Sequence, residues 1–75
     1  MICPGDMLKF GRTVPLASLY YKPETRECVN ISTHNATLFV VGEASYDHLH
    51  NELIPVLVNG LFGWVLSYYT VSIDS

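Results

Sequence analysis

The chain has 75 residues, with seven acids, four bases and a formal charge of −3. That length allows one domain; it excludes a barrel enzyme, a dinucleotide fold with a separate substrate domain, and any two-domain cleft. Hydrophobic residues make up 49% and charged residues only 15%, the reverse of a disordered chain, so the sequence should fold around a small core.

Taken in order, the opening Met1-Ile2-Cys3-Pro4-Gly5-Asp6 lacks the basic region and apolar block of a signal peptide. Pro4-Gly5-Asp6 is a turn signal, and Met7-Leu8-Lys9-Phe10 alternates after it as a half-buried strand does. Glu24 to Val41 is the longest stretch without Gly or Pro, yet Val29, Ile31, Thr33, Thr37 and Val40 are β-branched and lose side-chain freedom on a helix. Asn30-Ile31-Ser32 and Asn35-Ala36-Thr37 have the form of glycosylation sequons, which require a secretory lumen. Both asparagines are read instead as loop positions before a strand at Thr37 to Val41. Further strands are expected at Pro55 to Val58, Gly63 to Leu66 and Tyr69 to Ile73. Asn59-Gly60 between apolar flanks predicts a type I′ hairpin turn, in which both central residues need positive φ, and sets Val58 opposite Leu61.

The longest apolar stretch, Ile54 to Leu66, is broken by Pro55, Asn59, Gly60 and Gly63, well short of the roughly 18 apolar residues that span a membrane. Short strands with no helix to cover a flat sheet must curl to bury one face and hide their edges. The expected fold is therefore all-β, a small SH3-like barrel of five to six short strands with little or no α-helix. An OB barrel needs about 100 residues and usually a helix, more than this chain offers.

Chemistry-bearing residues are sparse. Cys3 and Cys28 lie 25 positions apart, too few and too distant for a disulfide framework or a paired metal-ligand motif. Asp47-His48-Leu49-His50 places two imidazoles within reach of one face. A zinc site would still need partners from Cys3, Cys28 or His34, none at motif spacing. The reading is a polar loop with solvated histidines. No nucleophile turn or phosphate loop is present, so no catalytic residue, metal or cofactor is assigned and a non-enzyme is expected.

All four bases, Lys9, Arg12, Lys22 and Arg26, lie in the first 26 residues, which carry a balance of +2; the remainder carries five acids and no Lys or Arg. Nucleic-acid binding is driven by phosphate neutralisation and is poorly served by this balance. It stands as the alternative reading, with those four bases as contacts and Tyr20 and Tyr21 as stacking partners. The main expectation is a protein partner, with a second copy of the chain among the candidates. Tyr20, Tyr21, Leu61, Phe62, Leu66, Tyr68 and Tyr69 form the expected contact surface, because so few charges cannot cover the apolar residues. Strand addition at the open edge of the barrel is a second mode of contact.

The segment Val58-Asn59-Gly60-Leu61-Phe62-Gly63-Trp64-Val65-Leu66-Ser67-Tyr68-Tyr69-Thr70-Val71 resembles the last two strands of bacterial-type SH3 domains. Gly60, Gly63, Trp64, Val65, Ser67 and Tyr69 fall in register with that pattern, and Thr70 stands where an aliphatic residue is usual. The resemblance implies that Ser67 and Tyr69 shape a 3₁₀ turn before a final strand. Upstream, Val14-Pro15-Leu16-Ala17-Ser18 and Thr37 to Gly42 match more loosely. The resemblance spans about 60 residues, with specific motif content only in those last 14. It implies one domain over residues 1–75, with an N-terminal strand at 1–13 ahead of a 14–73 core. Such domains bind cell-wall peptides, protein segments or partner domains. Small stand-alone versions serve as accessory proteins of tailed phages, which would place this chain in the cytoplasm, in host cytoplasm or in a virion. The aromatic motif and the Trp-Trp pair of proline-rich-peptide binders are absent, Leu66 replaces their groove proline, and only Tyr69 matches a groove residue.

Overall fold

The computed structural model describes residues 2–11, 15–24 and 27–73. Eight strands form among them: β1 (Met7–Phe10), β2 (Leu16–Tyr20), β3 (Cys28–Ser32), β4 (Leu38–Val40), β5 (Ser45–Tyr46), β6 (Glu52–Val58), β7 (Leu61–Leu66) and β8 (Thr70–Ser72). A single 3₁₀ turn, Ser67–Tyr69, separates β7 from β8, and no described residue is in an α-helix. All pairings are antiparallel, in the order β3-β2-β7-β6-β4-β1-β8, with β5 beside β6.

Alternation sorts the side chains. Leu8, Leu19, Ile31, Leu38, Val40, Ile54, Val56, Val58 and Val65 are buried together in one cluster. They come from six strands of one sheet, so the sheet must curl until its inner faces meet, which gives the SH3-like barrel form. β3 and β8 end the strand path and do not pair with each other, so the barrel is open along that seam. β1 is interior, joined to β4 through Leu8↔Leu38 and to β8 through Leu8↔Ser72.

β6 is the hub. β7 runs along one side through pairs from Leu53↔Leu66 to Val58↔Leu61. The other side is shared: β5 takes Glu52 and Leu53, and β4 takes Val56 and Leu57. Pro55 stands at the hand-over. A proline inside a central strand removes a ladder hydrogen bond. Here the Pro55 carbonyl accepts from the Val41 amide at 3.0 Å. In an extended strand the amide and carbonyl of one residue face the same side, so the missing N–H falls between β4 and β5, where the ladder on that side of β6 is interrupted.

The turns follow from their residues. Asn59 and Gly60 have φ of 51° and 77°, the left-handed pair a type I′ turn requires, and Val58 faces Leu61 as expected. At Gly63 a Cβ would strike the Leu19 side chain, reaching 2.7 Å from its Cδ1 and 2.9 Å from the Tyr20 carbonyl oxygen. Only glycine lets β2 cross so close to β7, and the β2–β7 contact rests on one register pair, Tyr20↔Trp64. The amide and the hydroxyl of Thr70 both donate to the Ser67 carbonyl, closing the 3₁₀ turn into β8.

Several details differ from the sequence reading: β6 and β7 begin at Glu52 and Leu61 rather than at Pro55 and Gly63. The strands number eight rather than five or six, because β2, β3 and the two-residue β5 add to the ladder. Asn30 is not a loop residue: it lies in β3 opposite Ser18, while Asn35, with φ 56°, does sit in the following turn. The signal for β3 was the alternation of Val29 and Ile31 within Cys28–Ser32, of which only Ile31 is fully buried.

Candidate functional site

β2, the end of β7 and the 3₁₀ turn enclose a cleft of 230 Å³ lined by Phe10, Leu16, Ala17, Ser18, Tyr20, Val65, Leu66 and Tyr69. The elements dictate this wall. Gly63 draws β2 onto β7, and the 3₁₀ turn then swings Tyr69 back over the mouth, where the Gly11 amide donates to the Tyr69 carbonyl at 2.8 Å. Tyr69 packs edge to face on Tyr68, with ring centroids 5.1 Å apart, which stiffens the rim. Drug-sized ligands occupy roughly 300–1,000 Å³. This cleft is smaller, and suits one or two side chains of a partner better than a cofactor.

A second cleft, also of 230 Å³, continues past the shared walls of Tyr20 and Leu66. Its other walls are Pro23, Glu24, Leu53 and the loop residues Asp47, His48, Leu49 and Asn51. That loop is tightly tied. The Asp47 carboxylate accepts from the amides of Leu49 and Asn51 at 2.8 and 2.9 Å and from the Asn51 side chain at 3.0 Å. The His50 amide donates to the Asp47 carbonyl, and His50 adopts a φ of 64°. The hydrogen bond from the Asn51 amide is the largest influence holding the Asp47 carboxyl below its usual range; the other bonds from Asn51 and Leu49 and the nearby His48 add to it, against some desolvation. The groove is thus apolar and aromatic at one end and carries the carboxylates of Glu24 and Asp47 at the other.

The expected contact residues do not form one surface. Tyr20, Leu66 and Tyr69 converge on the cleft, and Tyr68 stands exposed beside it. Tyr21 is exposed beyond β2. Leu61 and Phe62 belong elsewhere: both are exposed past the hairpin turn, and Phe62 packs edge to face on Trp64, 6.5 Å between centroids. Phe10 and Leu16 in the cleft, and Phe39, Leu57 and Trp64 near Phe62, escaped the sequence reading. The register pairs Phe39↔Leu57 and Leu57↔Phe62 bring these residues together, and register is not visible in a single strand.

The two described bases do not converge either. Lys9 borders a shallow hollow with Thr33 and Asn35, whereas Lys22 borders another beside Trp64 with Glu24. Arg12 and Arg26 lie outside the described residues. Among the described residues no group of three His, Cys, Asp or Glu side chains is placed to hold a metal, and Cys3 and Cys28 are exposed and not joined in a disulfide. Among the described residues no helix is long and apolar enough to cross a membrane. No family model, curated protein or solved structure matches the chain significantly.

Proposed function

We propose that this chain is a non-enzymatic protein-interaction or structural module related to bacterial SH3 domains, of the kind found among the small accessory proteins of tailed phages. Its groove takes an extended segment of a partner protein. The observation that carries this reading is the convergence of Tyr20 with Leu66 and Tyr69, from the opposite end of the chain, on one cleft. Tyrosines suit that task because they offer large rigid contact area and a polar tip at small entropic cost. The apolar end favours aliphatic or aromatic residues of the partner. Glu24 and Asp47 at the other end favour a Lys or Arg, since opposite charges steer and orient the segment. Proline is not required by this chemistry.

Selection from a random-peptide library, followed by titration of the isotopically labelled domain, tests the reading. Expected ligands combine two or more apolar residues with a basic one and perturb resonances of Phe10, Tyr20, Leu66 and Tyr69. Tyr20→Ala and Tyr69→Ala should each weaken binding by about 30-fold, as loss of a buried interface aromatic does. Ligands that bind both variants as tightly as the parent would reject the cleft. Binding of labelled single-stranded DNA at low salt, lost as salt rises, would favour the nucleic-acid alternative instead.

A further inference from the structure

β6 reads Glu52-Leu53-Ile54-Pro55-Val56-Leu57-Val58, a continuous apolar run after its first residue. Strands of that composition are normally covered on both faces. Its inner face, Ile54, Val56 and Val58, lies in the core. On its outer face Leu53 and Pro55 are buried, but Leu57 is 42% exposed. The register extends this exposure sideways. Phe39 on β4 faces Leu57, and Leu57 faces Phe62 on β7. Met7 on β1 faces Phe39, and Ile73 follows β8 with its amide donating to the Met7 carbonyl. One apolar row therefore crosses five strands of the outer face, with Phe39 at 47%, Phe62 at 54% and Ile73 at 38% exposure, and Val41 flanks it at 48%. No Asp, Glu, Lys or Arg interrupts the row; Lys9 is the nearest charge on the same face of β1.

We propose that this face pairs with the same face of a second copy, forming an isologous two-fold dimer with the outer sheets stacked. Two arguments select that occupant. The first is area. The exposed side chains of the row and its flank amount to roughly 500 Å², near the upper end of what ordinary monomers leave open. Two copies together hide about 1,000 Å² of apolar surface before any rim is counted, the area at which specific interfaces begin. The second is charge. A chain of net charge −3 repels its own copy, so self-association needs a face from which acids are absent, and this row is such a face. Two twisted sheets stack at about 10 Å with their strands some 30° apart, a geometry that lets Phe39, Leu57 and Phe62 interdigitate with their symmetry mates. This face is distinct from the Tyr20–Tyr69 cleft, so the dimer would present two grooves and does not depend on what those grooves bind.

Sedimentation equilibrium in the presence of a thiol reductant, over a protein range from about 5 μM to 1 mM, tests the dimer. The reductant removes any linkage through exposed Cys3 and Cys28. The expected result is a mass rising from 8.4 kDa to twice that value and no further. Leu57→Glu and Phe62→Glu, both at exposed positions, should weaken the dimer at least 30-fold while leaving the far-ultraviolet circular dichroism unchanged. Tyr68→Ser, outside the row, should leave the dimer intact. A parent protein that stays at 8.4 kDa at 1 mM overturns the proposal. So does a mass that climbs past the dimer, or a dimer that the folded Leu57→Glu and Phe62→Glu variants retain. If one glutamate variant loses its folded spectrum, Phe39→Ser carries the same test.

Discussion

Asp47 holds a whole loop by itself. Its carboxylate accepts three hydrogen bonds from Leu49 and Asn51, and its backbone is bonded to His50 and Asn51. All three carboxylate bonds favour the ionised form, so the folded-state pKa lies below the reference value of 3.8. A depressed carboxyl pKa contributes stability that is fully present above the unfolded value and is lost as pH falls through the folded one. The loop should therefore loosen only below about pH 4, and neutral pH should not affect it through this group. Asp47→Asn removes the charge and keeps one acceptor oxygen. Its urea midpoint should lie below the parent's at pH 6, and the two should converge as pH drops toward 2.5. Parallel curves over that range would show that another carboxylate governs the acid limb.

At the scale of the element, the Asn59-Gly60 hairpin fixes the register that everything downstream uses. One residue of slip would exchange the core face of β7, with Val65, for the face bearing Phe62 and Trp64. Gly60 has a φ of 77° with open space around its Cα, so a side chain there meets strain and no clash. Gly60→Val should cost about 1–2 kcal/mol, the penalty of a left-handed β-branched residue, read as a lower urea midpoint at unchanged slope. A changed slope would mean that the register itself had moved. This hairpin, β1 and β4 were legible in the sequence because each carries a local signal in its own residues, and the 3₁₀ turn was expected from the resemblance to bacterial SH3 domains. β6 was read only from Pro55 onward, although a proline ordinarily argues against a central strand. What admits it is the gap between β4 and β5 on that side, and the gap exists only after folding. β3 was obscured by using Asn30 as a turn marker, and β5 is too short to show any period. The cleft was half legible: Tyr20, Leu66 and Tyr69 stood out as aromatic or motif residues, but Phe10 and Leu16 join them only because Gly63 brings β2 onto β7.

For the whole molecule, the order of strands sets how the chain must fold. Leu8 pairs with both Leu38 and Ser72, so β1 gains its second partner only when the two ends of the chain meet. No α-helix supplies early local contacts among the described residues. Loop-closure entropy is then spent before most of the native contacts offset it, and folding of such sheets occupies milliseconds to seconds. The single tryptophan, Trp64, packs on Phe62 and faces Tyr20 across the β2–β7 junction, so its fluorescence reports that closure directly. Refolding by dilution from urea, at low micromolar protein so that pairing of copies contributes nothing, should give one exponential slower than about 1 ms. The extrapolated ratio of folding and unfolding rates should reproduce the equilibrium stability. A fluorescence change completed within microseconds would mean that β2 meets β7 before the ends of the chain close. Nucleation would then lie in the hairpin half, from β6 to β7, and β1 and β8 would be late additions to a sheet already formed.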